Sequence, residues 1–409
     1  MTGSRLFFLI ASFLLQLYPL AHLSADYGWP LEENLGVSAT FGEFRGNHLH
    51  AGLDLSTNGQ NGMAVLAVAD GNVVRMKIQK RNYGRAIYVQ HADQTQSVYA
   101  HLDRFSSELG LEQLYQRYVA QAGTRYVGDI FVEPPVPVKK GDVIAYSGET
   151  GGGLPHLHFE LRRDDVIAVN PLRNGFRDEF DPTPPTFQAV YLYPLTPESA
   201  VDGDLETREF RLRKQGSVFT SEHTPVVRGD FIASVSVYDS ALRPYRRAPN
   251  KISLSIDQRP LYSLNFSEFS YVEEQGFGLT YDLGKPGASY FEYPILLEKF
   301  GDTSVPFLAE RISFSTKNLP PGPHRLQIEA SDSNDNRSIA VLVLIVNHPP
   351  TVRMEDMKTE LEEFIVTAAV TDPDWSTAGI GKLAAELEYS LDGGKSFVPF
   401  PVSALAPQA

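Results

Sequence analysis

The spacing of apolar residues constrains the fold of this chain more than any other feature. Met63–Ala69, Asn72–Ile78, Arg85–His91 and Gln96–His101 alternate apolar and polar residues, with glycine or asparagine turns between them. A period of two places successive side chains on opposite faces of a strand, so each run predicts a half-buried β-strand. Asp70-Gly71 is a tight-turn signal between the first two. Strands resume at Asp142–Ser147 and His156–Arg162. One stretch breaks the pattern: Leu111, Leu114, Tyr115 and Tyr118 stand at i, i+3, i+4 and i+7, the period of an amphipathic helix. The proline run Glu133–Pro137 ends that excursion, because proline cannot continue a helix. Residues 104–137 are therefore expected to form a helical insertion on a β scaffold.

The stiff, polar segment Asp181–Thr186 reads as a linker. Beyond it, Phe187–Tyr193, Phe231–Asp239, Lys251–Ile256, Leu261–Phe266, His324–Ser331 and Ser338–Val346 carry the β signal with almost no helical period. An antiparallel sandwich is expected, resembling immunoglobulin-like or fibronectin-like modules. The Asp- and Asn-rich stretch Asp332–Asn336 reads as a polar turn in preference to a calcium loop. Asn347–Pro350 marks a second boundary, followed by strand candidates Phe364–Thr371 and Leu383–Ser390 and a turn at Asp392-Gly393-Gly394. The 409 residues thus divide into a signal peptide (1–25), a first β domain (26–176), a β-sandwich domain (187–347) and a partial second module (348–409).

The signal peptide rests on Arg5, the apolar run Leu6–Leu20 and the small residues Ser24 and Ala25, with cleavage expected near Ala25–Asp26. Val341–Val346 is apolar but too short to cross a membrane and reads as a buried strand. An exported protein, in the periplasm, cell envelope or medium, with no stable membrane span after cleavage, is expected. The formal net charge of −14 argues against a nucleic-acid partner, which would call for a basic face.

There is no cysteine, so disulfides, thiolate metal sites and cysteine nucleophiles are excluded. Any metal must be held by histidine and carboxylate. Six of the ten histidines fall between positions 48 and 158, in His48-Leu49-His50-Ala51-Gly52-Leu53-Asp54, at His91, in Tyr99-Ala100-His101, and in His156-Leu157-His158. A catalytic zinc keeps three protein ligands and one open position. His50 and Asp54 are candidates for two ligands, from the end of a strand and its following turn. On a strand, His156 and His158 point the same way, so one can bind a metal while the other stands beside it. No His-Glu-x-x-His helix is present, which removes a glutamate base of that type.

The order of these elements resembles the lysostaphin/LytM-type zinc metallopeptidases. Phe41-Gly42-Glu43-Phe44-Arg45-Gly46-Asn47-His48-Leu49-His50-Ala51-Gly52-Leu53-Asp54 resembles that family's first motif. Val68-Ala69-Asp70-Gly71-Asn72-Val73-Val74 is similar to its hairpin, Tyr99-Ala100-His101-Leu102 to its Tyr-x-His-Leu element, and Val138–Ala145 to its Val-Lys-x-Gly strand. Gly148-Glu149-Thr150-Gly151 with His156-Leu157-His158-Phe159-Glu160 resembles the closing motif, and Asn170-Pro171-Leu172 the exit. The likeness spans about residues 37–172. It implies a mainly β fold: an antiparallel metallopeptidase sheet with a helical insertion, followed by the sandwich modules. It also implies one zinc ion per chain held by His50, Asp54 and His158, with His101 and His156 beside it as general base and oxyanion-stabilising pair. The implied activity is endopeptidase cleavage of peptide cross-links in bacterial peptidoglycan, the peptide stems being the partner. Some relatives have lost ligands and act by binding the wall or activating amidases, which is the alternative; here all five residues stand in place. His48 is expected beside the ligands or at the surface, and His91 to be structural. The loop Gly151-Gly152-Gly153-Leu154-Pro155 is either a plain hairpin or a place where a substrate backbone comes close.

Overall fold

The computed structural model describes residues 26–240, 246–271, 280–282, 295–296, 314–348, 351–360, 363–371, 387–389 and 398–400. The expected signal peptide and the turn at Asp392-Gly393-Gly394 lie outside them. Among the described residues, no helix is long and apolar enough to cross a membrane.

The first region is built from strands β1 (Val37–Ala39), β2 (Leu53–Ser56), β3 (Ala64–Leu66), β4 (Gly71–Ile78), β5 (Arg85–His91), β6 (Thr95–Ala100) and β7 (Arg104–Phe105). Helix α1 (Leu111–Ala122) and strands β8 (Gly128–Val138), β9 (Val143–Tyr146), β10 (His156–Arg163) and β11 (Ile167–Val169) follow. The main sheet runs β1-β2-β10-β6-β5-β4-β8, antiparallel throughout, and a small sheet runs β3-β9-β7. Alternation decides the two faces of the main sheet. Leu157, Phe159 and Leu161 of β10, Leu53 and Leu55 of β2, and Ile87 and Val89 of β5 enter one core. Burying side chains of this size stabilises by about 1.5–3 kcal/mol each. His156, His158, Glu160 and Arg162 take the opposite face of β10.

The expected helical insertion at 104–137 contracts to a single helix. Residues 104–105 pair with β9, and residues 128–138 pair along β4 as an edge strand of the main sheet. The prolines Pro134, Pro135 and Pro137 sit in that edge strand, with a register shift against β4 between Val73 and Arg75; an edge position tolerates the missing N–H groups. Helix α1 is bounded by Gly110 and Gly123, both left-handed, and the N–H of Gly123 closes the last turn on Val119 O. Of the predicted stripe, Leu111 and Tyr115 are buried in the core while Tyr118 faces solvent. The ring of Tyr115 meets Phe105 edge-on at 5.6 Å. The helix is therefore rooted in the domain and not a detachable loop.

The second region has two sheets around one core. Thr186–Pro194, Arg208–Arg211 and Asp230–Tyr238 form the first; Lys251–Ile256, Arg259–Asn265, Gly322–Ser331 and Arg337–Val346 carry the second. Phe187, Val190 and Val235 of one sheet share a cluster with Ile252, Leu264, Ile328 and Leu342 of the other. The expected purely antiparallel order is broken twice: Val218–Thr220 and Val226–Arg228 run parallel to Arg337–Val346. Farther on, Thr351–Glu360 pairs with Glu363–Thr371 and Leu387–Tyr389 with Val398–Phe400.

The two regions share structure. Glu268–Ser270 pairs with β11 and so extends the main sheet of the first region. Phe41, Phe44, Leu49, Ala51 and Ala168 belong to the core of the second. The start of the segment expected as a linker is docked: Asp181 and, just before it, Asp178 are buried and bond Arg247 at 2.7 and 2.6 Å. Composition gave that segment its polarity but could not reveal a partner some seventy positions on. The stretch Asp332–Asn336 is a polar turn. Asp332 accepts the backbone N–H of Asn334 and Asn336, whose side chains in turn donate to the carbonyls of Asp178 and Asp181.

Candidate metal centre

Strand register assembles the centre. β10 lies between β2 and β6, and His158 stands directly opposite Asp54 on one side and Ala100 on the other. Directly opposed side chains on one face lie about 4.5–5.5 Å apart at Cβ, within reach of a common point. The small Ala100 leaves room for the ring. His50 arrives from the loop before β2, so the order is loop then strand, the reverse of the strand then turn expected from sequence. The loop is pinned by His50 N donating to Glu43 O at 2.7 Å and Gly42 N donating to His50 O at 2.8 Å. Gly52 lets the chain pass under β10: a Cβ there would lie 2.2 Å from Phe159 O.

His50 Nε2, Asp54 Oδ1 and His158 Nδ1 converge, at 3.0, 2.9 and 3.0 Å from one another, and all three residues are buried. Their outer atoms fix the tautomers. His50 Nδ1 faces the carbonyl of Thr40 at 2.8 Å and must donate to it; His158 Nε2 faces the Glu160 carboxylate at 2.8 Å and donates likewise. In the neutral rings, both inward nitrogens therefore present lone pairs, beside a carboxylate oxygen. Ligand atoms about 2.0–2.1 Å from a tetrahedral zinc lie roughly 3.3 Å apart, close to the spacing found here, so this donor set fits a zinc ion. Arg45 bonds the other oxygen of Asp54 at 2.8 Å.

The electrostatics follow the contacts. Burial lowers His50 to about 4 despite the neighbouring Asp54. For His158, burial opposes the charged form, but hydrogen bonds and charge from Asp54 and Glu160 outweigh it and raise the ring to about 9. Asp54 is held well below its ordinary range: His50, Arg45 and His156 overcome its desolvation.

His101 and His156 stand beside this triad. Their rings lie 4.6 Å apart, and His101 is 5.7 Å from His158. His101 adopts φ 60°, in the left-handed region, a strained choice for a non-glycine residue that aims the ring. Its Nδ1 donates to Thr150 O at 2.8 Å, leaving Nε2 as an acceptor. Burial and the neighbouring His156 and His158 lower it to about 3. His156 donates from Nδ1 to Leu154 O at 2.6 Å and directs Nε2 to within 3.5 Å of Asp54. Burial opposes its charge, but Asp54 raises its pKa.

The other sequence candidates fall outside. His48 is exposed and pairs with Asn47 at 2.7 Å. His91 is buried between Asp70 O at 2.9 Å and Ser97 Oγ at 2.8 Å, a satisfied structural residue. In the loop after Thr150, Gly151 packs so tightly that a Cβ would lie 2.1 Å from Asn82 O, while Leu154 is exposed at the rim. Sequence reading gave no role to Arg45, Tyr83 or Glu160. The period of two on β10 is the signal that places Glu160 and Arg162 on the face of His158.

The sheet fold is that of a metallopeptidase-type β domain, and its cysteine-free donor set could hold a metal ion. The model of peptidase family M23 matches residues 48–125, and the chain carries a domain of that family, of the LytM type. A murein hydrolase activator of Escherichia coli, NlpD, is 34% identical over 149 residues, 36% of this chain and 31% of that protein. The DD-carboxypeptidase/endopeptidase Mpg of Neisseria meningitidis is 32% identical over 142 residues, 34% of this chain and 25% of that protein. Among solved structures, the catalytic domain of lysostaphin from Staphylococcus simulans aligns with 30% of this chain and 75% of its own length, at 22% identity and a TM-score of 0.22. The matched stretch thus spans less than a third of the two curated relatives.

Proposed function

We propose that this protein is an exported zinc endopeptidase that hydrolyses peptide cross-links of bacterial peptidoglycan. The observation that carries the reading is the convergence of His50 Nε2, Asp54 Oδ1 and His158 Nδ1 about 3 Å apart, with His101 and His156 alongside. His50, Asp54 and His158 hold one zinc ion per chain. A bound zinc ion supplies Lewis acidity toward a peptide carbonyl and toward an attacking water. His101 is the proton acceptor: its Nδ1–H is committed to Thr150 O, so Nε2 is free to take the proton of the water. His156, whose charged form Asp54 favours, donates from Nε2 to the developing oxyanion and then to the leaving amine. The run Leu6–Leu20 supports export, as the core of a signal peptide.

The name of one relative, murein hydrolase activator, favours a second reading, in which the domain binds the wall and stimulates another hydrolase. Digestion of purified peptidoglycan, with and without a chelator, followed by mass spectrometry of the products separates the two. Chelator-sensitive release of cleaved stem peptides is expected; intact cross-links with a zinc-loaded protein would overturn the hydrolase reading.

A further inference from the structure

We infer that Tyr271, from the second region, is a positioning residue of the metal centre in the first. The inference rests on the zinc reading above. Behind His158 lies a buried carboxylate, Glu160, fully shielded from solvent. One of its oxygens accepts from His158 Nε2 at 2.8 Å and from the Tyr83 hydroxyl at 2.7 Å. The other accepts from Arg162 Nε at 2.7 Å and from the Tyr271 hydroxyl at 2.8 Å. Four donors thus fix the orientation of the group that sets the tautomer and rotation of a metal-binding ring, and one of the four comes from a residue 111 positions farther along the chain.

The placement of Tyr271 is built into the backbone. Glu268–Ser270 pairs with β11 in the register Ile167↔Ser270, Ala168↔Phe269 and Val169↔Glu268. Tyr271 N continues that ladder onto Val166 O at 2.9 Å. Phe269 anchors the strand against Phe41, with ring centroids 4.8 Å apart. The Arg162 guanidinium lies over the Tyr271 ring at 4.6 Å, so ring and hydroxyl act on the same pair of charges.

A second arm reaches the other imidazole. Thr40 O, which receives the His50 Nδ1–H, belongs to a residue whose hydroxyl bonds Ala248 O at 3.1 Å, and Tyr281 donates to Gly42 O at 2.8 Å. Gly42, at φ 86°, lies so close to Phe266 that a Cβ would meet its ring at 2.5 Å. Both histidines of the triad are braced from beyond residue 245, so the second region completes the centre.

Groups that orient metal ligands from behind typically change metal affinity by about 10–100-fold when removed. In the full chain, Tyr271→Phe keeps the ring and removes only the donor. It is expected to bind zinc at least about tenfold more weakly in competition with a chromogenic chelator. It should also alter the visible spectrum of the cobalt-substituted protein, a change that a loss of stability alone would not produce. Tyr262→Phe, which removes a buried hydroxyl of the same region that has no hydrogen-bond partner among the described residues, is the control and should keep wild-type affinity. If Tyr271 acts through Glu160, its effect should vanish in a Glu160→Gln background. Wild-type zinc affinity and cobalt spectrum in Tyr271→Phe would overturn the inference, as would an undiminished effect beside Glu160→Gln. These readouts do not depend on hydrolysis. A zinc-binding protein that cuts nothing refutes the hydrolase reading alone, whereas a wild type that binds no zinc refutes both.

Discussion

At His50, Asp54 and His158 a single carboxylate meets two imidazoles, whereas the buried carboxylates of Asp178, Asp181 and Asp239 gather around one guanidinium, with Asp332 close to the last two. Arg247 is 1% exposed and bonds Asp178 and Asp181 at 2.6 and 2.7 Å, and Asp239 as well. The second cluster contains its own cation, fixed by the chain, and clamps the 178–181 segment to the strands that follow. In the first, the outer hydrogen bonds of the neutral rings turn their protons outward and three lone pairs inward, and an arriving cation need displace only the second proton of His158. Buried acidity alone does not identify a metal site; the direction in which the protons point separates a ligand set from a clamp.

The largest effects should come from the first cluster. Asp54→Ala and His158→Ala are expected to lose zinc and hydrolysis together. Elemental analysis with a peptidoglycan assay checks this, and full zinc occupancy in His158→Ala would break the assignment. His101→Ala and His156→Ala should retain zinc and lose about 10²–10⁴-fold in rate, since each removes a proton-transfer group and no ligand. Zinc loss in His156→Ala would move that residue into the ligand set.

The second cluster should answer in stability and not in metal content. Arg247→Met leaves the buried carboxylates of Asp178, Asp181 and Asp239 without their cation and is expected to cost about 3–5 kcal/mol. Denaturant unfolding reads it; a shift under about 1 kcal/mol would mean that the cluster is not a clamp.

The smallest effect is a pH slope. Burial raises Asp239 to about 7 and Asp332 to about 6, above the ordinary carboxylate value of 3.8. The folded state then holds protons that the unfolded chain has released, so this cluster's contribution falls as pH rises from about 4 to about 7. Melting in chelator between pH 5 and 8 should show it, with a shallower slope in Asp332→Asn. An identical slope in that variant would remove Asp332 from the titration.

Much of the strand pattern was legible because alternation is local. Arg85–His91 and Lys251–Ile256 form strands with the bounds read from sequence. The helix at 111–122 was legible from its period, but its flanks were not. Residues 128–138 carry prolines that argue against a strand, and only pairing along β4 makes an edge strand of them. His50, Asp54, His101, His156 and His158 were named from ordered motifs, and they meet because β10 pairs with both β2 and β6. Glu160 stood in plain view on the same face of β10, and nothing in its spacing distinguished it from a solvated charge.

The sequence by itself determined the donor chemistry: without cysteine, and with histidines on one strand face, a buried ion could be met only by imidazole and carboxylate. It also determined the β class, because a period of two is a property of neighbouring residues. The tertiary structure decided which nitrogen of each ring faces inward, that Arg247 neutralises Asp178 and Asp181, and that Tyr271 stands behind His158. Those outcomes depend on groups brought within 3 Å of one another from positions up to 111 residues apart. Hydrogen bonds and buried charges are short-range in space, and neither composition nor period records who the neighbour will be.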